Sequence, residues 1–148
     1  MKILLLLLAA MLLPTKIIGL EKTENKLQLV AKFQVCKAID NGQNVSLQTV
    51  MEDVHIVFYM DGHYFCMGIL ALASSSQLHG LITHTQALKK EGGEIQDYPD
   101  EVQFLWHYAP ADEAEPARCR LITDSSEHGP TYHLYIQQED KLIEYHGH

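Results

Sequence analysis

Cysteine is scarce in this sequence and unpatterned. The three that occur, Cys36, Cys66 and Cys119, form no C-x-x-C, which leaves a zinc ribbon or a thioredoxin-like site without its motif. Positive charge is also short: eleven Lys and Arg face nineteen Asp and Glu, a formal net charge of −8. The compact basic spots are Lys89-Lys90 and Arg118/Arg120. A phosphate backbone asks for clustered Lys and Arg, so this balance argues against a nucleic-acid partner. Ser74-Ser75-Ser76 lack a G-x-S-x-G elbow, and no residue pattern marks a nucleophile with its base. Internal repeats, heptads and low-complexity tracts are missing, as is any linker that would divide the chain. The one long apolar run, Ile3 to Leu13, is shorter than the roughly 20 residues that a bilayer span requires.

What remains describes one domain. A chain of 148 residues with 47% apolar side chains closes a single core. Lys2, the apolar run and the small residue Gly19 match a secretory signal peptide over residues 1–19, with the domain itself at 20–148. An uncleaved anchor is the plainer alternative, because Pro14, Lys16 and Ile17-Ile18 make an untidy cleavage region. Cleavage would remove Lys2 and Lys16 and leave nine basic against nineteen acidic side chains, a formal charge of −10. In an oxidising compartment the cysteines tend to pair rather than to ligate metal, and three leave one thiol over. Asn44-Val45-Ser46 is an N-glycosylation acceptor in a polar stretch.

The local patterns are those of strands and turns. Leu27, Leu29, Ala31, Phe33 and Val35 alternate with Gln28, Lys32 and Gln34, the period of a half-buried strand. Asp40-Asn41-Gly42 marks a turn. Val54 to Met60 and His63 to Ala73 are β-rich and separated by Asp61-Gly62, which predicts a tight hairpin with Tyr59 opposite Tyr64 and Phe58 opposite Phe65. Leu78 to Thr85, Glu101 to Tyr108, Arg118 to Thr123 and Thr131 to Gln138 read as further strands, with Leu142 to Tyr145 as an edge. Gln86 to Glu91 reads as one or two helical turns ended by Gly92-Gly93. Seven or eight antiparallel strands with at most one short helix predict an all-β sandwich.

Candidate chemistry is sparse. His146 and His148 have the i, i+2 spacing of two ligands on one strand, and His133 joins them if the tail pairs back. The plainer reading is a frayed tail and scattered surface histidines, and no cofactor is expected. His79 and His84, five apart, fall on opposite faces of a regular strand. In Trp106-His107-Tyr108, Trp106 is core if it shares a face with Val102 and Phe104, and an exposed binding residue if the register slips by one. The acidic groups Asp97, Asp100, Glu101, Asp112, Glu113 and Glu115 lack the spacing of a calcium loop.

Taken in order, these pieces resemble the transthyretin-like family of secreted nematode proteins. Phe33-Gln34-Val35-Cys36 with Asn41-Gly42 resembles the family's opening, and His55 to Asp61 its second strand. Ser75 to Ile82 resembles its Ser/Thr turn and Gly-led strand. Leu105 to Ala109 is similar to an aromatic-His-x-Cys segment with alanine in place of cysteine, and Pro116 to Arg120 to a later cysteine strand. The resemblance implies a transthyretin-like sandwich and a Cys36–Cys119 disulfide, with Cys66 left over. It further implies a non-catalytic extracellular binding or adaptor role toward a protein, a cell surface or a small hydrophobic ligand. The last four residues, Tyr145-His146-Gly147-His148, are similar to the Tyr-Arg-Gly-Ser tail of 5-hydroxyisourate hydrolases, with two of four positions matching. No opening Thr-His-Val segment accompanies them, so the paired acid–base groups of that reaction are missing from the pattern.

Overall fold

The computed structural model describes residues 27–88, 101–108 and 115–148. Residues 1–19, expected as a signal peptide, and Lys89-Lys90, Asp97, Asp100, Asp112 and Glu113 lie outside the described residues.

Alternating apolar and polar side chains give nine strands: β1 (Leu27–Asp40), β2 (Gln43–Asn44), β3 (Val54–Asp61), β4 (Tyr64–Ala71), β5 (Ser76–Leu88), β6 (Glu101–Tyr108), β7 (Ala117–Ser126), β8 (Gly129–Gln138) and β9 (Lys141–Gly147). One six-residue helix, α1 (Ser46–Met51), follows β2. Each long strand pairs antiparallel with the next, and β9 pairs with both β8 and β1. The result is a closed eight-stranded meander barrel, to which β2 is a short appendage on β1.

The expected sandwich is therefore replaced by a barrel. Alternation along a strand is identical in the two architectures, and only the pairing of first and last strands separates them. Here β1 serves both neighbours: Leu27 to Gln34 pairs with β3, and Val35 to Asp40 pairs with β9. Two irregularities in β1, between Leu29 and Ala31 and between Val35 and Lys37, bend it from one partner to the other. The chain's tail is not frayed, because it is the closing stave.

The first turn is as expected. Asn41 and Gly42 both have positive φ, +49° and +81°, and join Asp40 to its partner Gln43 in the geometry that Asn-Gly favours. The β3–β4 hairpin differs from its expected register. Gly62, at φ +60°, takes the first central position of the turn and His63 the second, so Asp61 faces Tyr64. Tyr59 then lies opposite Cys66, and Phe58 opposite Met67, while Phe58 and Phe65 meet diagonally at 6.3 Å between ring centroids. Gln86 to Leu88, expected as helical, continue β5 after a bulge.

Inward side chains from seven strands form one core: Phe33, Val35 and Ala38 from β1; Val54, Ile56 and Phe58 from β3; Met67, Ile82, Phe104 and Trp106 from β4 to β6; Ala117 and Cys119 from β7; Leu134 and Ile136 from β8. Tyr132 stacks on Phe33 at 5.1 Å, and Phe104 meets Phe58 edge-on at 6.2 Å. Eight strands enclose a lumen that side chains can fill, and these do. A second cluster, Val57, Tyr59 and Leu70, packs with Leu27, Leu29, Cys66 and Leu72 on the outer face. Strand β3 is thus buried on both faces, which explains its nearly unbroken apolar run.

The helix was not legible from the sequence. Its residues Ser46-Leu47-Gln48-Thr49-Val50-Met51 include β-formers, and no side chain caps its start. Tertiary contacts hold it instead. Ser46 Oγ accepts from the Ala38 N–H at 3.0 Å and donates to the Ala38 carbonyl, and Thr49 is buried. Leu47, Val50 and Met51 stay exposed.

Candidate functional site on the outer wall

Pleating fixes which side of the wall each candidate occupies. Trp106 and Tyr108 point into the barrel and His107 points out, because successive side chains of β6 alternate. Trp106 is 1% exposed, and its indole N–H donates to the Met67 carbonyl at 3.1 Å. It leans on Tyr108 at 4.7 Å and over Gly80, where a Cβ would fall 2.7 Å from Nε1. The indole is a core anchor, not an exposed binding group.

Cys36 and Cys119, the pair that the resemblance implies as a bridge, are free thiols in the structure. Cys36 is exposed on β1, where its thiol donates to the His146 carbonyl at 3.3 Å. Cys119 is buried in the lumen on β7, a strand whose neighbours are β6 and β8. The two thiols lie on opposite sides of the wall. Burial pushes the Cys119 thiol up to about 12. Cys66, the third free cysteine, is half-buried on the outer face beside Tyr59, where burial and Asp61 raise its pKa. Asn44, expected as a glycosylation acceptor, is exposed on β2, and its Oδ1 accepts from the Ser46 N–H at 2.9 Å.

Polar chemistry collects on the outer face of β6 to β9, where pairing aligns side chains in rows across four strands. One row runs Glu101, Ile122, His133, His146; the next Gln103, Arg120, Tyr135, Glu144; the third Leu105, Arg118, Gln137, Leu142. Arg118 and Arg120 are the only arginines in the sequence, and strand alternation sets both outward. Arg120 Nε lies 3.2 Å from Glu101 Oε1, and its guanidinium covers the Tyr135 ring at 4.7 Å. Glu101 Oε1 is buried and has no aligned hydrogen-bond donor, so that pairing is Coulombic. Arg118 is exposed and makes no ion pair among the described residues. Gln103, both arginines, Tyr135, Gln137 and Leu142 line an open groove of about 400 Å³. A second groove, toward Glu115 and Glu139, shares Arg118 and Gln137 with it.

Beside this groove the tail brings two of the three histidine candidates together. His133 and His146 are cross-strand partners with ring centroids 4.3 Å apart. His146 Nε2 is buried without a hydrogen-bond partner, and the nearest carboxylate oxygen, Glu144 Oε2, is 3.5 Å away. Burial and the facing His133 lower the pKa of His146. His148 pairs through its backbone with Gln34 and is exposed.

A separate group sits on β3 to β6. Tyr59 O–H donates to His79 Nδ1 at 3.0 Å, and His79 Nε2 faces Gln77 Oε1 at 3.3 Å. Burial holds His79 below its ordinary pKa and raises Tyr59. His84, at φ +53° within the β5 bulge, does not follow regular alternation. Its Nδ1 lies 3.0 Å from Thr83 Oγ1, which also meets His107 Nε2 at 2.8 Å. The bulge thus turns His84 toward the same hydroxyl as a histidine from the neighbouring strand, a convergence that spacing alone misses. Among the described residues no three His, Cys, Asp or Glu side chains stand gathered as a metal cage. Comparison with family models, with curated proteins and with solved structures finds no match to this chain.

Proposed function

We propose that this chain is a secreted, non-catalytic binding protein that engages an extracellular partner through the outer wall of β6 to β9. The observation that carries the reading is the division of chemistry across the wall. The lumen is occupied by mutually packed Phe33, Phe58, Phe104, Trp106 and their aliphatic neighbours. The outward face holds the two arginines, two glutamines and Tyr135 around an open groove. Guanidinium, amide and phenol groups recognise carboxylate, sulfate or hydroxyl groups, and a rigid barrel holds them at fixed spacing. The likeness to secreted transthyretin-like proteins supports the export and adaptor parts of this proposal through its sequence pieces, and contributes nothing to the fold.

The test is direct binding of purified residues 20–148 to cell surfaces, wild type against the double variant R118E/R120E. Charge reversal is expected to weaken binding by tenfold or more while the circular dichroism spectrum is unchanged. Undiminished binding by the variant overturns the assignment to this face. An apolar small molecule released on denaturation in native mass spectrometry would move the function into the lumen.

A further inference from the structure

We propose that His133, His146 and Glu144 form a binding site for a divalent cation of the zinc class at the seam where β9 closes the barrel. A buried polar atom without a partner is destabilising, and native structures leave few of them. His146 Nε2 is such an atom: the carboxylate nearest to it, Glu144, makes no aligned hydrogen bond with it. Its 3.5 Å separation from Glu144 Oε2 is long for a hydrogen bond. It is close to the edge of a coordination tetrahedron: legs of about 2.0–2.1 Å to nitrogen and oxygen place two ligand atoms about 3.3–3.4 Å apart.

The strand geometry supplies the rest. Glu144 and His146, at i and i+2, share the outward face of β9, and His133 stands directly across from His146 on β8. As they stand the three side chains do not converge on one point; the two imidazoles lie 4.3 Å apart at a tilt of 31°, and a cation held by Glu144 and His146 would draw in the third ligand by turning the His133 ring about its own side-chain bonds. His148 follows at the next outward position of the same strand, with its backbone tied to Gln34. Two imidazoles and a carboxylate suit zinc or copper(II) better than calcium or magnesium, which prefer all-oxygen shells. An excess of eight negative charges favours cation approach, while Lys37, paired with His146 from β1, opposes it locally. A bound cation would tie β8 to β9 at the strand that completes the barrel.

The experiment titrates purified residues 20–148 with zinc chloride by isothermal calorimetry, in parallel with thermal unfolding. The expected result is saturable binding of one zinc and a rise in melting temperature. H133A, H146A and the isosteric E144Q should each weaken binding by tenfold or more, and H107A, on the opposite histidine group, should leave it unchanged. No saturable binding up to millimolar zinc overturns the proposal. So does a wild-type affinity in H133A and E144Q, or an equal loss in H107A. Because His133 and Glu144 are outward-facing, those two variants keep the test decisive if H146A does not fold.

Discussion

The imidazole of His79 lies against Gly68, its cross-strand partner, so closely that a Cβ on the glycine would fall 2.7 Å from Nδ1 and 2.8 Å from Cε1. Val57 closes the same space from the other side, with its Cγ2 at 3.0 Å. The missing side chain at position 68 is what lets His79 reach the Tyr59 hydroxyl. Replacing Gly68→Ala forces the ring to swing away and breaks that hydrogen bond. A loss of about 1–2 kcal/mol is expected, measured by urea denaturation. The His79 resonance should titrate closer to its ordinary pKa. Unchanged stability together with an unchanged titration would remove Gly68 from this role.

The same histidine gives a pH dependence whose sign follows from its burial. His79 has a lowered pKa in the folded barrel, so between the ordinary value near 6.5 and that lower value the unfolded chain binds the extra proton. Stability contributed by neutral His79 is present above pH 6.5 and is lost as pH falls toward the folded pKa. Protonation also puts a hydrogen on Nδ1, where the Tyr59 hydroxyl now donates. His79→Asn is expected to be less stable than wild type at pH 7.5 and to show a shallower decline between pH 6.5 and 5. Parallel stability curves for the two proteins would show that His79 does not carry this part of the acid response.

Much of the wall was legible because strand patterning is local. The face shared by Val102, Phe104 and Trp106, the Asn41-Gly42 turn and the outward setting of Cys36 all follow from side chains within a few residues. Closure did not follow, since it depends on β1 meeting β9 across more than a hundred residues. The β3–β4 register moved because Gly62, not Asp61, occupies the first turn position that requires positive φ. His133 and His146 meet only once the tail is paired, and His84 joins His107 only through a bulge that no composition signal announces. The separation of Cys36 from Cys119 was hidden for a similar reason: parity along β1 and β7 is readable, but which strands become neighbours is decided by the whole barrel.

Thiol chemistry separates the barrel from a bridged alternative. Cys36 is exposed, Cys66 half-buried with a raised pKa, and Cys119 is buried with its thiol pushed up to about 12. Thiolate is the reactive form. Under native conditions at pH 8, an aromatic disulfide reagent should label Cys36 first, Cys66 slowly and Cys119 only on unfolding. Unreduced protein opened in guanidinium should titrate three thiols. A count of one, with Cys36 and Cys119 found together in a non-reducing peptide map, would be incompatible with the two thiols lying on opposite sides of the wall.

Closure of the barrel depends on a position where no side chain fits. Gly147 pairs with Val35 on one side and Tyr132 on the other, and it is buried between them. A Cβ there would collide with the Gln34 carbonyl oxygen and come within 2.8 Å of the Phe33 ring. The first obstacle is backbone, so it cannot be relieved by turning a side chain. Gly147→Ala must therefore push β9 off β1, and the reciprocal hydrogen bonds between Gln34 and His148 go with it. A cost of about 3 kcal/mol is expected, in the range for overpacking a tight site. Hydrogen exchange should localise the damage. Amides of Val35 to Asp40 and of Lys141 to Gly147 should lose protection, while those of the β3–β4 and β4–β5 ladders keep it, because those pairings do not involve the closing strand. Protection lost evenly around the barrel would mean that the wall has no separable seam.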